Sequence, residues 1–314
     1  MRIGTRASVL ALTQARWVAQ RLGADAELVP ITTAGDRAER LADKSRWVSE
    51  LEQALLEGHI EIAVHSAKDL PAELADGLAL VAIPAREDAR DAICGASSLQ
   101  ELARGARVGT SSLRRAAQLR ALRDDLEVMP VRGNVDTRLR KLAEGQVDAL
   151  VLAMAGLRRL GREAAAGGVL EALIPAAGQG ALALEAYPGT IPAELLSAIH
   201  DAGTAACVAA ERALTRALGA SCNTAVGAHA RRAGEGLLEL QGWVGLPDGS
   251  QWISDRLLGS GPEVGTLVAA RMRAAGADEL LAAAERQAAG AAPGSHGSVG
   301  PGEGAGGGAG GAPE

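Results

Sequence analysis

Thr110-Ser111-Ser112-Leu113-Arg114-Arg115 sets three hydroxyl side chains directly before two consecutive arginines. A short apolar run precedes it and a helical spacing follows, so the hydroxyls fall where a strand turns into a helix. Free backbone N–H groups, hydroxyls and guanidinium forks converge on an anion at such a place. Val131-Arg132-Gly133-Asn134 ends the next strand, where glycine lets a ligand approach the backbone. His65-Ser66-Ala67-Lys68-Asp69-Leu70-Pro71 follows another apolar run and gathers an imidazole, a hydroxyl, an ammonium and a carboxylate. A carboxylate beside anion-binding arginines can stabilise a cation formed during reaction or relay protons. An ordinary loop, with Asp69 capping the turn before Pro71, would use the same residues. Cys222 lies among small residues and reads as an accessible thiol, although no histidine is near it in sequence to activate it. Cys94 and Cys207 sit in apolar surroundings and are expected to be buried and inert. Arg120, Arg123 and Arg140 read as a solvated helix face. Gly178-Gln179-Gly180 reads as a sharp turn or a crossover between domains. The chain has no GxxxxGK[ST] phosphate loop and no CxxC, so neither a P-loop nor a cysteine zinc site is expected.

The elements that must position these residues follow from periodicity. Strands are predicted over 2–5, 27–33, 60–65 and 78–83, alternating with helices over 8–22 and from Trp47 to a stop at Gly58. After a charged connector at 86–91 the alternation restarts, with strands at 107–110, 126–131 and 147–153 and helices at 111–123, 136–144 and 156–161. A strand at 181–186 and helices at 192–200 and 204–218 come next. A hairpin then pairs 237–246 with 251–258 around Pro247-Asp248-Gly249-Ser250, and two helices run to about Ala289. Residues 290–314 contain 11 glycines and are expected to form a disordered tail. Alternating strands and helices predict mostly parallel sheets covered on both faces. Ligands of such sheets bind off the carboxyl ends of strands, which is where the arginines, Lys68 and Asp69 fall.

Composition narrows the partners. A chain of 314 residues, 47% hydrophobic and 22% charged, can bury the cores of two or three domains. Its net charge is −6, and Phe is absent beside four Trp and one Tyr, which argues against nucleic acid as a partner. Residues 104–141 hold ten basic against four acidic side chains, a local +6 that leaves −12 for the rest. The N-terminus reads as a strand, and no apolar run reaches the ~18 residues needed to span a membrane. Three cysteines that cannot all pair fit a reducing cytoplasm.

The motifs, taken in order, resemble the porphobilinogen deaminase (hydroxymethylbilane synthase) family over residues 2–281. The carrying segments include Ile3-Gly4-Thr5-Arg6-Ala7-Ser8, His65-Ser66-Ala67-Lys68-Asp69, Arg86-Glu87-Asp88, Arg90-Asp91-Ala92 and residues 108–115. They continue with Arg132-Gly133-Asn134-Val135, Thr137-Arg138-Leu139, residues 155–161 and 175–181, and Ala210-Glu211-Arg212-Ala213 followed by Cys222. The resemblance implies an α/β fold of two periplasmic-binding-protein-like domains plus a small C-terminal α+β domain. The first would comprise 1–83 and 180–200, the second 84–176, the third 203–289.

It also implies an activity: four porphobilinogen molecules are condensed head to tail with loss of ammonia on a dipyrromethane primer, and the linear bilane is then released by hydrolysis. By resemblance Cys222 carries that cofactor as a thioether and Asp69 is the catalytic carboxylate. Ser66, Lys68, Thr110, Ser111, Ser112, Arg114, Arg115, Arg132 and Gly133 match cofactor-binding positions. Arg6, Ser8, Arg138, Arg159 and Gln179 match substrate-binding positions, Gln179 at the inter-domain hinge. Lys44, Arg46 and Trp47 match the lid, in a segment shorter than the family's common form. Asp136 stands where a small residue is usual. The family needs no metal, and a monomer acting on porphobilinogen without nucleic acid or membrane is expected. The rival is a non-enzymatic two-lobe module binding a dicarboxylate or other anion, or an inactive paralogue. A pure binder needs neither Asp69 nor Cys222.

Overall fold

The computed structural model describes residues 1–23, 25–33, 48–221 and 224–290. Its first sheet holds β1 (Arg2–Arg6), β2 (Glu27–Ile31), β3 (Ile62–Ser66), β4 (Ala79–Ala82) and β10 (Leu182–Ala186), in the order β2-β1-β3-β10-β4. The second holds β5 (Asp91–Cys94), β6 (Arg107–Gly109), β7 (Glu127–Met129), β8 (Ala149–Ala153) and β9 (Gly168–Leu170), in the order β7-β6-β8-β5-β9. The two sheets share one plan. Three strands run parallel, and a fourth is inserted antiparallel between the third and an edge strand. The inserted strands, β5 and β10, are the ones the chain makes on crossing from one lobe to the other. The expectation of mostly parallel sheets holds for four of the five strands in each; the exception is the strand arriving from the other lobe, which enters against the direction of its neighbours. The short strands β5 and β9 were absent from the periodicity, β5 because its first residue, Asp91, closed an apparently charged connector.

Local chemistry sets the helix ends. The Ser8 hydroxyl accepts from the Ala11 N–H at 3.3 Å and starts α1 (Val9–Leu22), which ends at Gly23 in the left-handed region, φ 62°. Ala15, Val18 and Leu22 of its buried stripe pack on Ile3, Ile62, Val64 and Leu184 of the first sheet. Each such buried aliphatic side chain contributes roughly 1.5–3 kcal/mol. α2 (Ser49–Leu56) covers the opposite face through Leu51 and Leu55. In the second lobe Ser112 caps α3 (Leu113–Leu122) and Asn134 caps α4 (Val135–Ala143). α5 (Met154–Arg159) follows β8, and α6 (Ala193–Ile199) follows β10.

The third sheet is an antiparallel meander of β11 (Ala225–Arg232), β12 (Leu237–Gly245) and β13 (Trp252–Ser260). α7 (Ala202–Ala217), α8 (Glu263–Ala274) and α9 (Ala277–Gly290) pack against it around Leu214, Leu240, Val268 and Met272. The predicted hairpin of 237–246 with 251–258 is present; β11 adds a strand that its Gly- and Ala-rich sequence did not announce.

Glu211 of α7 joins all three parts. It is fully buried. Arg86, on the first crossing segment, donates to both carboxylate oxygens at 2.6 and 3.1 Å. The Gly178 N–H on the second crossing and the Ala230 N–H of β11 each donate at 2.7 Å. Burial works against the charge, but Arg86 and His229 outweigh it and hold the carboxyl below its ordinary range. Truncating one partner of such a pair strands a buried charge. Glu211→Ala is therefore expected to cost about 3–5 kcal/mol of stability, seen as a large fall in thermal midpoint. A loss below about 1 kcal/mol, the worth of an exposed pair, would show that Glu211 is not the junction described.

Candidate active site

β3 runs directly into a 3-10 turn, Ala67–Asp69, which carries Lys68 and Asp69 out of the end of the first sheet. The turn is held from three sides. The Ala67 N–H donates to the Ala181 carbonyl at 3.0 Å. Ala67 and Leu70 pack on Val208 of α7. Arg212 and Arg216 of the same helix donate to the Ala72 carbonyl at 2.9 and 3.0 Å. Gly178 crosses so close above that a Cβ there would lie 2.8 Å from the Ala67 carbonyl carbon; its φ is 73°. Only glycine suits that approach. The Ser66 hydroxyl donates to Gln14 at 3.2 Å, joining the turn to α1. Arg6 ends β1, and Ser8 caps the helix that follows.

The second lobe faces these groups with the end of its own sheet. Thr110, Ser111 and Ser112 bridge β6 to α3. The Ser111 hydroxyl donates to the Val131 carbonyl at 2.7 Å and so links the two strand-end loops. Arg138 donates to the Gly133 carbonyl at 2.7 Å, and Gly133 has φ 116°. Arg132 and Gly133 are exposed. Arg159 of α5 donates to the Gly180 carbonyl at 2.6 Å. Arg114 and Arg115 are buried, and both bond to Asp91. Gln179 is buried at the crossing, with its amide on Asp91 and the Ala89 carbonyl.

Cations are crowded here. Loss of hydration and then the nearby Arg115 bring the Lys68 ammonium down to about 8, against the pull of Asp69 and Asp91. Desolvation, then Arg115, lowers Arg138 to about 10. Desolvation lowers Arg159 to about 10 despite Glu87. Burial disfavours the charge of these three groups, and an anionic ligand bound beside them would offset that cost.

The structure thus brings Lys68, Asp69, Arg114, Arg115, Arg138 and Gln179 to one place, with Ser66, Ser111, Ser112 and Arg159 bonded to the segments that frame it. Cys222, Lys44, Arg46 and Trp47 lie outside the described residues. The neighbours of Cys222 can be described: Ser221 and Thr224 bond to each other, backbone N–H to hydroxyl at 3.0 Å and hydroxyl to carbonyl at 2.8 Å. Asp91 and Glu211 lie in segments that carry the resemblance, but the sequence assigned neither a role. The available signal was an acid opening the apolar run Asp91-Ala92-Ile93-Cys94, and another within the Ala-rich α7.

Comparison with known proteins decides the family. The family description "Porphobilinogen deaminase, dipyromethane cofactor binding domain" matches residues 1–190, and "Porphobilinogen deaminase, C-terminal domain" matches residues 205–274. The chain belongs to the porphobilinogen deaminase family. Porphobilinogen deaminase of Deinococcus deserti is 47% identical over 305 residues, covering 90% of this chain and 98% of that protein. Those of Syntrophotalea carbinolica and Deinococcus radiodurans are 45% and 46% identical, covering 90% of this chain and 95% and 97% of theirs. A solved methionine-binding protein, MetQ, aligns over 63% of this chain and 87% of its own at 15% identity and TM-score 0.40.

The family's enzyme is hydroxymethylbilane synthase, a transferase of tetrapyrrole biosynthesis, and the first 190 residues are its dipyrromethane cofactor domain. The residues present fit that cofactor. Its acetate and propionate groups are anions, and Lys68, Arg138 and Arg159, whose charge burial disfavours, would gain partners in them. Arginine pairs carboxylates with a two-pronged fork and stays charged in the working range.

Proposed function

We propose that this chain is itself a porphobilinogen deaminase, extending a dipyrromethane primer tethered at Cys222 by four porphobilinogen units. The observation that carries this reading is one carboxylate, Asp69, on a turn surrounded by Lys68, Arg114, Arg115 and Arg138. In each round the C–N bond of an incoming aminomethyl group breaks and ammonia leaves. The freed methylene carbon bonds to the open α-carbon at the end of the growing chain, and that carbon gives up its proton. Water enters once, at release of the bilane. When bound, the cofactor supplies the first open α-carbon and a covalent anchor, so the growing chain need not be rebound between rounds.

The protein's share is binding and charge. Lys68, Arg114, Arg115, Arg132, Gly133, Thr110, Ser111 and Ser112 hold the carboxylates of the primer, while Arg6, Ser8, Arg138, Arg159 and Gln179 hold those of substrate and extended chain. Asp69 faces the pyrrole nitrogens and stabilises the positive charge of the azafulvene that forms on loss of ammonia. By resemblance Lys44, Arg46 and Trp47 belong to the lid segment. The working units of this reading are residues 1–83 with 180–200, 84–176 and 203–289, in a cytoplasmic monomer. Among the described residues no helix is long and apolar enough to cross a membrane.

The test is direct. The purified chain is weighed intact after denaturation and assayed with porphobilinogen. A mass exceeding the polypeptide by one dipyrromethane, with bilane formed, is the expected result. A bare chain that makes no bilane even after incubation with substrate would refute the reading.

A further inference from the structure

Asp91 opens β5, a strand whose other residues, Ala92, Ile93 and Cys94, are apolar and buried. Its carboxylate is completely buried too. Three side chains converge on it. Arg114 donates to Oδ2 at 2.8 Å, Arg115 donates twice to Oδ1 at 3.0 and 2.8 Å, and Gln179 donates to Oδ1 at 2.7 Å.

Arg114 and Arg115 are consecutive on α3. Successive side chains of a helix point about 100° apart, so two neighbours meet on one group only if that group draws both. Each guanidinium is then locked by a main-chain carbonyl, Ile174 for Arg114 at 2.6 Å and Val151 for Arg115 at 3.1 Å. Gln179 completes the arrangement: its carbonyl oxygen accepts from Arg115 at 3.5 Å, and its amide reaches the Ala89 carbonyl at 2.6 Å. One carboxylate therefore aims two cations and fastens them to the segment that crosses between the lobes.

We propose that Asp91 is a positioning residue of the active site, fixing Arg114 and Arg115 in the direction from which they meet ligand carboxylates and binding both to the hinge residue Gln179. The inference rests on the reading of the cleft as a porphobilinogen deaminase site. Asp91 also reaches across the cleft electrostatically. The charged groups acting on Lys68 are Asp69 on its own turn, Asp91 on β5, and Arg114 and Arg115 on α3. Without the charge of Asp91, less negative charge offsets the two arginines beside Lys68, and it loses its proton at lower pH than before.

Asp91→Asn and Asp91→Glu in the full chain test this, with the unaltered chain in the same assays. In Asp91→Asn the substrate-holding Gln179 loses its charged partner, and the KM for porphobilinogen is expected to rise about tenfold or more. The alkaline limb of the pH profile is expected to move to lower pH by about half a unit or more. By intact mass, the fraction of chains carrying the covalent dipyrromethane should fall. Asp91→Glu keeps the charge but is one methylene longer in a filled site. Its alkaline limb should stay in place while KM still rises. A merely structural role would lower thermal stability and active fraction but leave KM and the alkaline limb where they were, and that result in Asp91→Asn overturns the proposal. If the Asn variant does not fold, Asp91→Glu decides: wild-type KM and wild-type cofactor loading overturn it. Absence of turnover in the unaltered chain would instead refute the functional reading.

Discussion

Cys222→Ala yields a chain with the mass of the polypeptide alone and no bilane synthesis. The argument rests on which thiols can react. A cysteine attacks as its thiolate, so a nucleophilic cysteine needs access and a pKa near or below the ordinary value. Cys94 is completely buried in β5, and burial pushes its thiol up to about 11. Cys207 is buried in α7, and burial, then Glu211, raises it as well. Neither can take over a tether, which leaves Cys222, two residues before the buried Thr224 that leads into β11. Without the thioether the first condensation has no anchored acceptor, and the loss is expected to be total, not partial. Intact mass and a bilane assay on the same preparation check it. A Cys222→Ala chain that still carries the adduct would place the attachment elsewhere.

Asp69→Ala is expected to keep the adduct and lose turnover by about 10²–10³, the usual scale for removing one charge-stabilising group from a preorganised site. The surroundings explain the size. Lys68, Arg114, Arg115 and Arg138 all bring positive charge to the cleft, and Asp69 is the carboxylate on the turn that faces them. Asp91 is already committed to Arg114, Arg115 and Gln179, so a cation developing on a pyrrole nitrogen there relies on Asp69 for a carboxylate. The turn should survive the substitution, because Ala67, Leu70 and Ala72 hold it through the Ala181 carbonyl, Val208 and Arg212 and not through the Asp69 side chain. The readout is kcat with KM measured alongside: kcat falls, and KM stays within several-fold. A kcat within tenfold of the unaltered chain would remove Asp69 from the chemistry.

Much of the cleft was legible in the sequence because its residues sit where strands end, and strand ends are marked locally. The apolar runs before Ser66, Thr110 and Val131 stop at hydroxyls, arginines and glycine, and the structure puts those stops around a single cleft. Pairings set by long-range geometry were not legible. Asp91 meets Arg114 and Arg115 across more than twenty residues and Gln179 across 88, and nothing in a local window tells a buried acid from a solvated one. Glu211 has the same problem in an Ala-rich helix, where one acid every few residues is ordinary. Strand direction was lost for a related reason. β5 and β10 run antiparallel because of where the chain has come from, which alternation of strand and helix cannot report.

The insertion of β10 between β3 and β4 has a consequence for synthesis. β4 bonds to β10 and not to β3, so the first sheet stays divided until residues 182–186 are made. The second sheet needs only residues 91–170, all of which leave the ribosome earlier. The lobe that begins the chain is therefore the later of the two to be completed, and until then β3 and β4 present unpaired edges of the kind that invite misassembly. Gln179, Gly180 and Ala181, which lead into β10, thus come just before the point in translation where the nascent chain can complete both sheets that frame its active site.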